Sequence, residues 1–307
     1  MSIFSYKEFK FDFVGKKKIW YIIALIFIIP GMVMLAISGL NLGLDFTGGS
    51  ILEVAYTENA DLSDVREIVM NSASHNPSVN ESEDNHFIIK TEEMEEEESQ
   101  ALLEELSTLG ELTQLRSDRI GPVIGQELLH NARLAMLIAG LLMLLYITIR
   151  FRFNYAVTAI LCLAHDILVV LSMMAIFRVE VDSAFIAALL TVVGYSINNT
   201  IVVYDRIREN QGLSARIGDA ALVNNSINET LTRSINTTIA VMILLLALFL
   251  LGGATTKNFI LAMIIGLTAG FFSSCFLAGN FLLEVSKLFG MNLNGTKIKK
   301  VASAKAR

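Results

Sequence analysis

Six long apolar stretches constrain this chain more than any other feature of its sequence. They cover residues 19–39, 134–149, 155–177, 183–203, 235–251 and 259–285. A helix that crosses the hydrocarbon core of a bilayer needs about 20 predominantly apolar residues. The second and fifth stretches are short, so we expect each to extend into neighbouring polar sequence. The sequence therefore predicts a polytopic α-helical membrane protein with six transmembrane helices.

The composition supports a membrane protein and argues against several other classes. Of the 307 residues, 53% are hydrophobic and only 18% are charged, and the mean hydropathy is +0.56. Soluble domains typically carry about 25% charged residues. A net charge of −6 argues against a basic nucleic-acid-binding protein, so we expect no nucleic acid partner. The two cysteines, Cys162 and Cys275, both lie in apolar stretches, which favours buried packing over a disulfide.

The distribution of basic residues predicts the orientation of the chain in the membrane. Cytoplasmic segments of membrane proteins are enriched in lysine and arginine. Most of the 24 basic residues here fall on one side of the membrane if the N-terminus is cytoplasmic. We therefore predict six regions: a cytoplasmic N-terminus (1–18), a first span (19–39), an external domain (40–133), a helical bundle (134–285), a cytoplasmic loop within that bundle (204–234) and a basic cytoplasmic tail (286–307).

The polar segment between the first two spans has the alternating pattern of an α+β domain. Strand patterns cover residues 50–56, 86–90 and 111–120, and helix patterns cover residues 61–72 and the segment after Thr91, which we expect to cap its helix. This order predicts a small β-α-β-α-β layer, an incomplete ferredoxin-like domain on the outer side. The acidic run at residues 92–98 is either a solvated helix face or a docking surface for a basic partner.

Asp166 lies in the third apolar stretch, where a charged side chain is costly and therefore indicates a function. We expect it to accept a proton or to pair helices, and the alternative is a static interhelical hydrogen bond. His165 precedes it directly. Because consecutive residues on a helix diverge by about 100°, we expect these two side chains not to share one face.

Two polar stripes are predicted near the inner ends of the fourth and fifth spans, and we expect them to meet at similar depth. A spacing of three and four residues places each set on one helix face. The sets are Ser196, Asn199 and Thr200 in the fourth span and Arg233, Asn236 and Thr237 in the fifth. Arg233 could instead extend to the inner surface.

In the sixth span, small residues at every fourth position predict a ridge for close packing against an unspecified helix. These are Gly266, Gly270, Ser274 and Ala278.

Three motifs closely resemble those of the SecD/SecF family of protein-export membrane proteins. Leu-Asn-Leu-Gly-Leu-Asp-Phe-Thr-Gly-Gly follows the first span, Ala-His-Asp lies in the third, and Gly-Tyr-Ser-Ile-Asn-Asn-Thr-Ile-Val-Val-Tyr-Asp-Arg-Ile-Arg-Glu-Asn runs out of the fourth. The residues that match are Gly43, Asp45, Phe46, Thr47, Gly48, Gly49, His165, Gly194, Asn198, Asp205, Arg206 and Arg208. The resemblance covers essentially the whole chain, and the single external domain favours the SecF branch.

This resemblance implies a six-helix half of a transporter of the resistance-nodulation-division (RND) type and a function in protein export driven by the proton-motive force. It implies a SecD-like partner subunit, which completes a twelve-helix unit in the cytoplasmic membrane. The SecYEG translocon, YajC and an unfolded translocating preprotein are the further partners that it implies. No cofactor or metal is implied. Because no ATPase or hydrolase motif occurs, we expect a transport subunit rather than an enzyme.

One position departs from the family pattern. The family usually carries Asp where this chain has Asn199, and that Asp belongs to the family's proposed proton path together with the arginine that matches Arg233. Asparagine does not titrate near neutral pH. Either acidic residues of the SecD-like partner carry the proton coupling, which we favour, or Asp166 substitutes, or the subunit is uncoupled. A non-transducing structural subunit of the Sec complex and an RND-type exporter of small molecules or lipids are the alternative functions.

Overall fold

The structure, a computed structural model, describes residues 11–72, 77–82, 85–253, 256–290 and 292–293. Most of the predicted basic tail and the first ten residues of the predicted cytoplasmic N-terminus lie outside these ranges. The helices are α1 (Lys17–Ser38), α2 (Leu44–Thr47), α3 (Leu62–Ser72), α4 (Glu96–Leu106), α5 (Pro122–Arg150), α6 (Phe153–Ile176), α7 (Ser183–Glu209), α8 (Ser214–Ile217), α9 (Asp219–Leu251), α10 (Lys257–Phe272) and α11 (Ala278–Leu288). The strands are β1 (Asn41–Leu42), β2 (Gly49–Tyr56), β3 (Ser78–Glu81), β4 (His86–Thr91), β5 (Leu112–Ile120) and β6 (Glu180–Val181).

Six helical segments are long and apolar enough to cross a membrane, which confirms the predicted number. Four of them are α1, α5, α6 and α9. The fourth in chain order, α7, continues through a short turn and α8, and the sixth, α10, continues through a π-helical turn (Ser273–Leu277) into α11. Helices α5 and α9 both extend beyond their short apolar stretches, into the polar sequence before them.

Residues 204–234, the predicted cytoplasmic loop between the fourth and fifth spans, are mostly helical. Helix α7 ends only at Glu209 and α9 begins at Asp219. The first turns of α9 are held against the bundle because Leu222, Val223 and Ile227 are buried. Burial of these apolar side chains favours helix over loop, although the segment also carries many polar residues.

The centre of the bundle is formed by α6, α7 and the continuous segment from α10 to α11. Helices α1, α5 and α9 pack around this centre and leave most of their apolar side chains exposed within the chain. Exposed apolar surface of this extent requires lipid or another subunit to cover it.

The small-residue ridge of the sixth span packs against α7. A Cβ atom on Gly266 would overlap the side chain of Val192, and one on Gly270 would lie 3.0 Å from the Cβ of Ser196. Glycine at these two positions therefore allows close approach of the two helices. Ser274 is also buried, within the π-helical turn that changes the angular phase of the helix.

The segment that we predicted to be external, which we call the external domain, forms a complete ferredoxin-like unit with the order β2-α3-β3-β4-α4-β5. Its four strands lie in the order β3-β4-β2-β5, and all neighbours are antiparallel. Helices α3 and α4 cover one face of the sheet around buried residues such as Val54, Val65 and Leu106. The predicted incomplete unit lacked β3 because this strand is short and Val79 is its one apolar residue.

Thr91 is the last residue of β4 and does not cap α4, so the predicted cap is wrong. Glu95 takes that place, because its carboxylate and that of Glu98 form reciprocal hydrogen bonds with the helix backbone. The guanidinium of Arg119 binds the Glu95 carboxylate at 2.8 and 2.9 Å and holds the pKa of Glu95 below its usual value. Three residues of the acidic run, at positions 96–98, occupy the first turn of α4, where the helix dipole favours negative charge.

Candidate functional site

The glycine-rich motif after α1 forms a joint between the external domain and the bundle. Strand β1 pairs in parallel with β6, and the backbone N–H of Gly43 donates to the carbonyl of Val181 at 2.8 Å. Asp45 Oδ2 then accepts hydrogen bonds from the backbone N–H and the hydroxyl of Ser183, the first residue of α7. Asp45 therefore caps a membrane helix from a distant part of the chain.

The rest of the motif fits tightly around this joint. Phe46 is buried in the same hydrophobic cluster of the bundle as Phe185 of α7. Gly49 has a φ of +141°, and a Cβ there would lie 2.5 Å from the carbonyl oxygen of Thr91, so only glycine fits. Gly48 also has a positive φ, and the Thr47 hydroxyl donates to the Gly43 carbonyl oxygen at 3.2 Å.

An ion pair and a second cap reinforce the joint. Lys90 Nζ in β4 lies 2.5 and 2.7 Å from the carboxylate oxygens of Glu180 in β6, and both side chains are half-buried. Asp182 accepts a hydrogen bond from the backbone N–H of Phe185 at 2.8 Å, and burial raises the pKa of its carboxyl. The external domain is thus fastened to the connection between α6 and α7.

Asp166 lies where three helical segments meet inside the bundle, and its relative exposure is 0%. One carboxylate oxygen, Oδ1, lies 2.8 Å from Nδ1 of His165. The other, Oδ2, accepts hydrogen bonds from the hydroxyls of Ser196 in α7 and Ser273 in the π-helical turn, the second at 2.8 Å. A buried carboxylate therefore connects α6 with two neighbouring elements.

We expected His165 and Asp166 not to share one helix face, and the structure nevertheless brings their side chains into contact. The two Cα–Cβ bonds diverge, but the imidazole is long enough to turn back to the carboxylate, and its ring stacks on Phe272 at a centroid distance of 5.9 Å. The other ring nitrogen, Nε2, is buried and has no hydrogen-bond partner among the described residues.

The structure does not bring the two predicted polar stripes together. Asn199 and Thr200 are buried one turn along α7 from Ser196, whereas all three members of the other stripe, Arg233, Asn236 and Thr237, are exposed on α9 within this chain. The buried face of α9 instead carries hydroxyl residues at every fourth position: Ser226, Thr230, Ser234 and Thr238. Small hydroxyl side chains can be buried by bonding to helix carbonyls, whereas an arginine needs a charged partner.

The other residues of α7 that match the family motif lie in different environments. Gly194 is half-buried with open space beside its Cα, and Asn198 is exposed. Asp205 binds Arg208 at 3.1 Å and Arg150 at 3.4 Å. Arg206 binds Glu209 at 2.9 Å and Glu229 at 2.5 Å. These ion pairs tie together the ends of α5, α7 and α9 at the end of the bundle opposite the external domain.

Sequence reasoning missed several uncharged polar contacts between α6 and its neighbours. The hydroxyl of Tyr204 donates to Thr158 Oγ1 at 2.7 Å, and Asn154 Nδ2 donates to Ser286 Oγ at 2.9 Å. The signal that could have revealed them is the four-residue spacing from Asn154 to Asp166 along one ridge of α6.

Comparison with known proteins identifies the family to which this architecture belongs. The model of the C-terminal region of protein export membrane proteins SecD/SecF matches residues 99–288, and the SecD/SecF GG motif matches residues 33–60. The chain belongs to the SecD/SecF family. Asp45 and its neighbours in the glycine-rich motif lie within the GG-motif match, and Asp166 with Ser196 and Ser273 lies within the C-terminal match.

Two relatives share most of their length with this chain. The protein translocase subunit SecF of Sebaldella termitidis is 36% identical over 85% of this chain and 87% of its own length. The protein translocase subunit SecF of Acidaminococcus fermentans is 39% identical over 91% of this chain and 98% of its own length. This SecD/SecF family member is thus a multi-pass membrane protein with an accessory function in Sec protein translocation.

Two solved structures have the same fold. SecDF of Thermus thermophilus, a translocon-associated membrane protein, is 33% identical with a TM-score of 0.82. SecDF in a super-membrane-facing form is 32% identical with a TM-score of 0.71. The comparison covers 90% and 94% of this chain but 39% and 40% of those chains, so this chain spans about two fifths of a SecDF chain.

Proposed function

We propose that this chain is a SecF-type subunit that acts with a SecD-like partner in the cytoplasmic membrane and links proton movement to preprotein export. The length of SecDF supports the pairing, because a chain of that kind leaves room for a second half beside the region matched here. The exposed apolar faces of α1, α5 and α9 supply surface for lipid and for that partner. The SecYEG translocon, YajC and the unfolded preprotein are the further partners that we propose.

The orientation that we propose places both ends of the chain in the cytoplasm and the ferredoxin-like domain outside. The segment before α1 supports a common side for the N-terminus and the start of α9, because the N–H of Phe13 donates to Asn224 Oδ1 at 2.8 Å. The external domain contacts the opposite end of the bundle through Lys90 and Glu180. The basic residues of the tail favour the cytoplasm for its side.

The buried carboxylate of Asp166 is the observation that carries the proposed proton coupling. Asn199 cannot exchange a proton, and within the described spans Asp166 is the carboxylate that is fully buried among three helical segments. This arrangement favours Asp166 as the proton-binding group of this chain over coupling by the partner alone. Nδ1 of His165 contacts the same carboxylate at 2.8 Å.

Protonation of Asp166 would change the contacts of α7. The ionised carboxylate only accepts hydrogen bonds, as it does from Ser196 and Ser273. If the proton binds at Oδ2, that oxygen donates a hydrogen bond, and one of the two serine hydroxyls has to change from donor to acceptor. Because Asp45 holds the other end of α7, a displacement of this helix reaches the joint below the external domain.

The test compares preprotein translocation into inverted membrane vesicles that contain the subunit and its SecD-like partner, with and without a proton gradient. We expect Asp166→Asn, which keeps the side-chain shape, to abolish the stimulation by the gradient and to preserve translocation driven by ATP alone. Asp118→Asn in the external domain is the matched control and keeps the stimulation. Full stimulation in Asp166→Asn would contradict the proposal and favour a non-transducing structural subunit.

A further inference from the structure

Helix α6 carries polar side chains at every fourth position between Asp166 and its end opposite the external domain. These are Asp166, Cys162, Thr158 and Asn154, and each is at most 1% exposed. Positions four residues apart form one ridge on a helix surface. The row extends over 12 residues, or about 18 Å at 1.5 Å per residue, which is more than half of the thickness of the hydrocarbon core.

A matching row lies on α7, which runs antiparallel to α6. Its members are Ser196, Thr200 and Tyr204, again at every fourth position and all buried. Hydrogen bonds join the two rows at two levels: Ser196 donates to Asp166, and Tyr204 donates to Thr158 at 2.7 Å. Thr200 lies between these two levels along α7, as Cys162 does along α6.

The π-helical turn and α11 form a third wall. Ser273 donates to Asp166 at 2.8 Å, the carbonyl of Ala278 lies 3.5 Å from the Tyr204 hydroxyl, and Ser286 accepts from Asn154 at 2.9 Å. We call the set from Asp166 and Ser196 to Asn154 and Ser286 the polar column. Beside its end, Gln211 Nε2 donates to the hydroxyl of Tyr155 at 2.8 Å, at the surface of the bundle.

Three polar atoms along the column have no hydrogen-bond partner among the described residues. Two of them, Thr200 Oγ1 and Asn154 Oδ1, belong to the column, and the third is Nε2 of His165, whose Nδ1 contacts Asp166; all are buried. Thr158, in contrast, bonds to helix carbonyls as buried threonines usually do. Buried polar atoms without a protein partner are normally satisfied by ordered water.

The spacing of the hydroxyls also fits water. Successive members of the α7 row are about 6 Å apart along the helix axis, too far for one hydroxyl to donate directly to the next. One water molecule bonded to both hydroxyls at about 2.8 Å spans at most about 5.6 Å, so a gap of this length takes a bridge of two water molecules.

We propose that the polar column is a hydrated proton pathway between Asp166 and the end of the bundle opposite the external domain. This rests on the proposed proton coupling and adds the route by which Asp166 exchanges its proton. A proton that leaves the Asp166 carboxyl passes to water beside Thr200. Each hydroxyl then accepts one proton and releases another, so that every side chain returns to its starting state and the carboxylate is left ionised.

The test removes one hydroxyl without changing side-chain shape. The complex with the SecD-like partner is reconstituted in proteoliposomes with a trapped pH-sensitive dye, and proton flux and thermal stability are measured together. We expect Thr200→Val to lower the flux about tenfold without lowering stability, because the Thr200 hydroxyl makes no protein hydrogen bond to lose. Thr200→Ser, which keeps the hydroxyl, retains the flux.

A second pair of variants tests whether a loss of flux comes from the missing hydroxyl or from altered packing. Tyr204→Phe lowers the flux, whereas Tyr195→Phe, the same change on a tyrosine of α7 whose hydroxyl donates to Thr238 in α9 outside the column, leaves the flux unchanged. Thr191→Val is the control for α7, because Thr191 is exposed and its hydroxyl bonds to the carbonyl of Ala187.

The possible outcomes separate the pathway from the proposed function. Loss of flux in Asp166→Asn together with normal flux in Thr200→Val and Tyr204→Phe would overturn the polar column and keep the proposed coupling. Absence of any flux in the unaltered complex would overturn both.

Discussion

Asn199 in α7 and Arg233 in α9 differ in exposure, although both were predicted to belong to facing polar stripes. Asn199 is buried, and its Nδ2 has no partner among the described residues. Arg233 is exposed on α9, on a face that the rest of this chain leaves open. An arginine at membrane depth needs a carboxylate or water nearby, which on this face a partner subunit can supply.

These positions predict unequal effects of alanine substitution. We expect Arg233→Ala to impair export strongly, because it removes a charge from the exposed face of α9 that we propose for the partner. We expect Asn199→Ala to have a mild effect, because Asn199 does not titrate. Both variants are measured by preprotein translocation in vesicles at matched subunit levels. Severe defects of equal size would show that Asn199 has a function that hydrogen bonding inside the chain does not explain.

At the scale of helices, the contact between α10 and α7 depends on the absence of side chains. Gly266 lies against Val192 and leaves no room for a Cβ, while Gly194 on α7 has open space beside it. Close packing therefore requires glycine at position 266 but not at position 194, so Gly194 serves as the control for Gly266.

We expect Gly266→Ala to destabilise the bundle by about 1–3 kcal/mol, since an extra methyl group forces the two helices apart. Gly194→Ala should leave stability unchanged or raise it by about 0.5–1 kcal/mol through its higher helix propensity. Unfolding of the detergent-solubilised protein measures both. Equal destabilisation by the two substitutions would contradict the close packing of α10 on α7.

The elements that were predicted correctly and those that were missed differ in the strength of their local pattern. Long apolar runs predict the spans, and the apolar residues of β2 predict that strand. Strand β3 has Val79 alone, and the start of α9 is polar except for a few residues such as Leu222, so only tertiary packing reveals them. The site follows the same rule: Asp166 is evident as a charge in an apolar run, whereas its contacts with Ser196 and Ser273 depend on helix packing.

At the scale of the whole molecule, the external domain and the bundle are connected by a joint that contains few groups. Asp45 caps α7, β1 pairs with β6, and Lys90 binds Glu180. Because α7 also contacts Asp166 through Ser196, one continuous helix extends from the buried carboxylate to the base of the external domain.

The ion pair between Lys90 and Glu180 should help to fix the position of the external domain relative to the bundle. We expect Lys90→Ala and Glu180→Ala to show an interaction energy of about 1 kcal/mol in a double-mutant cycle, as half-buried charges in direct contact do. Distances between spin labels on β5 and α5 should broaden in either single variant. Additive energies together with unchanged distance distributions would mean that this contact does not hold the domain.

Infrared difference spectroscopy of the complex with its SecD-like partner tests most directly the proposal that Asp166 binds and releases a proton inside the bundle. Spectra recorded across a pH titration should contain the carbonyl band of a buried protonated carboxyl, and this band should disappear in Asp166→Asn but remain in Asp118→Asn. A titrating band that persists unchanged in Asp166→Asn, or the lack of any such band in the unaltered complex, would contradict the proposal.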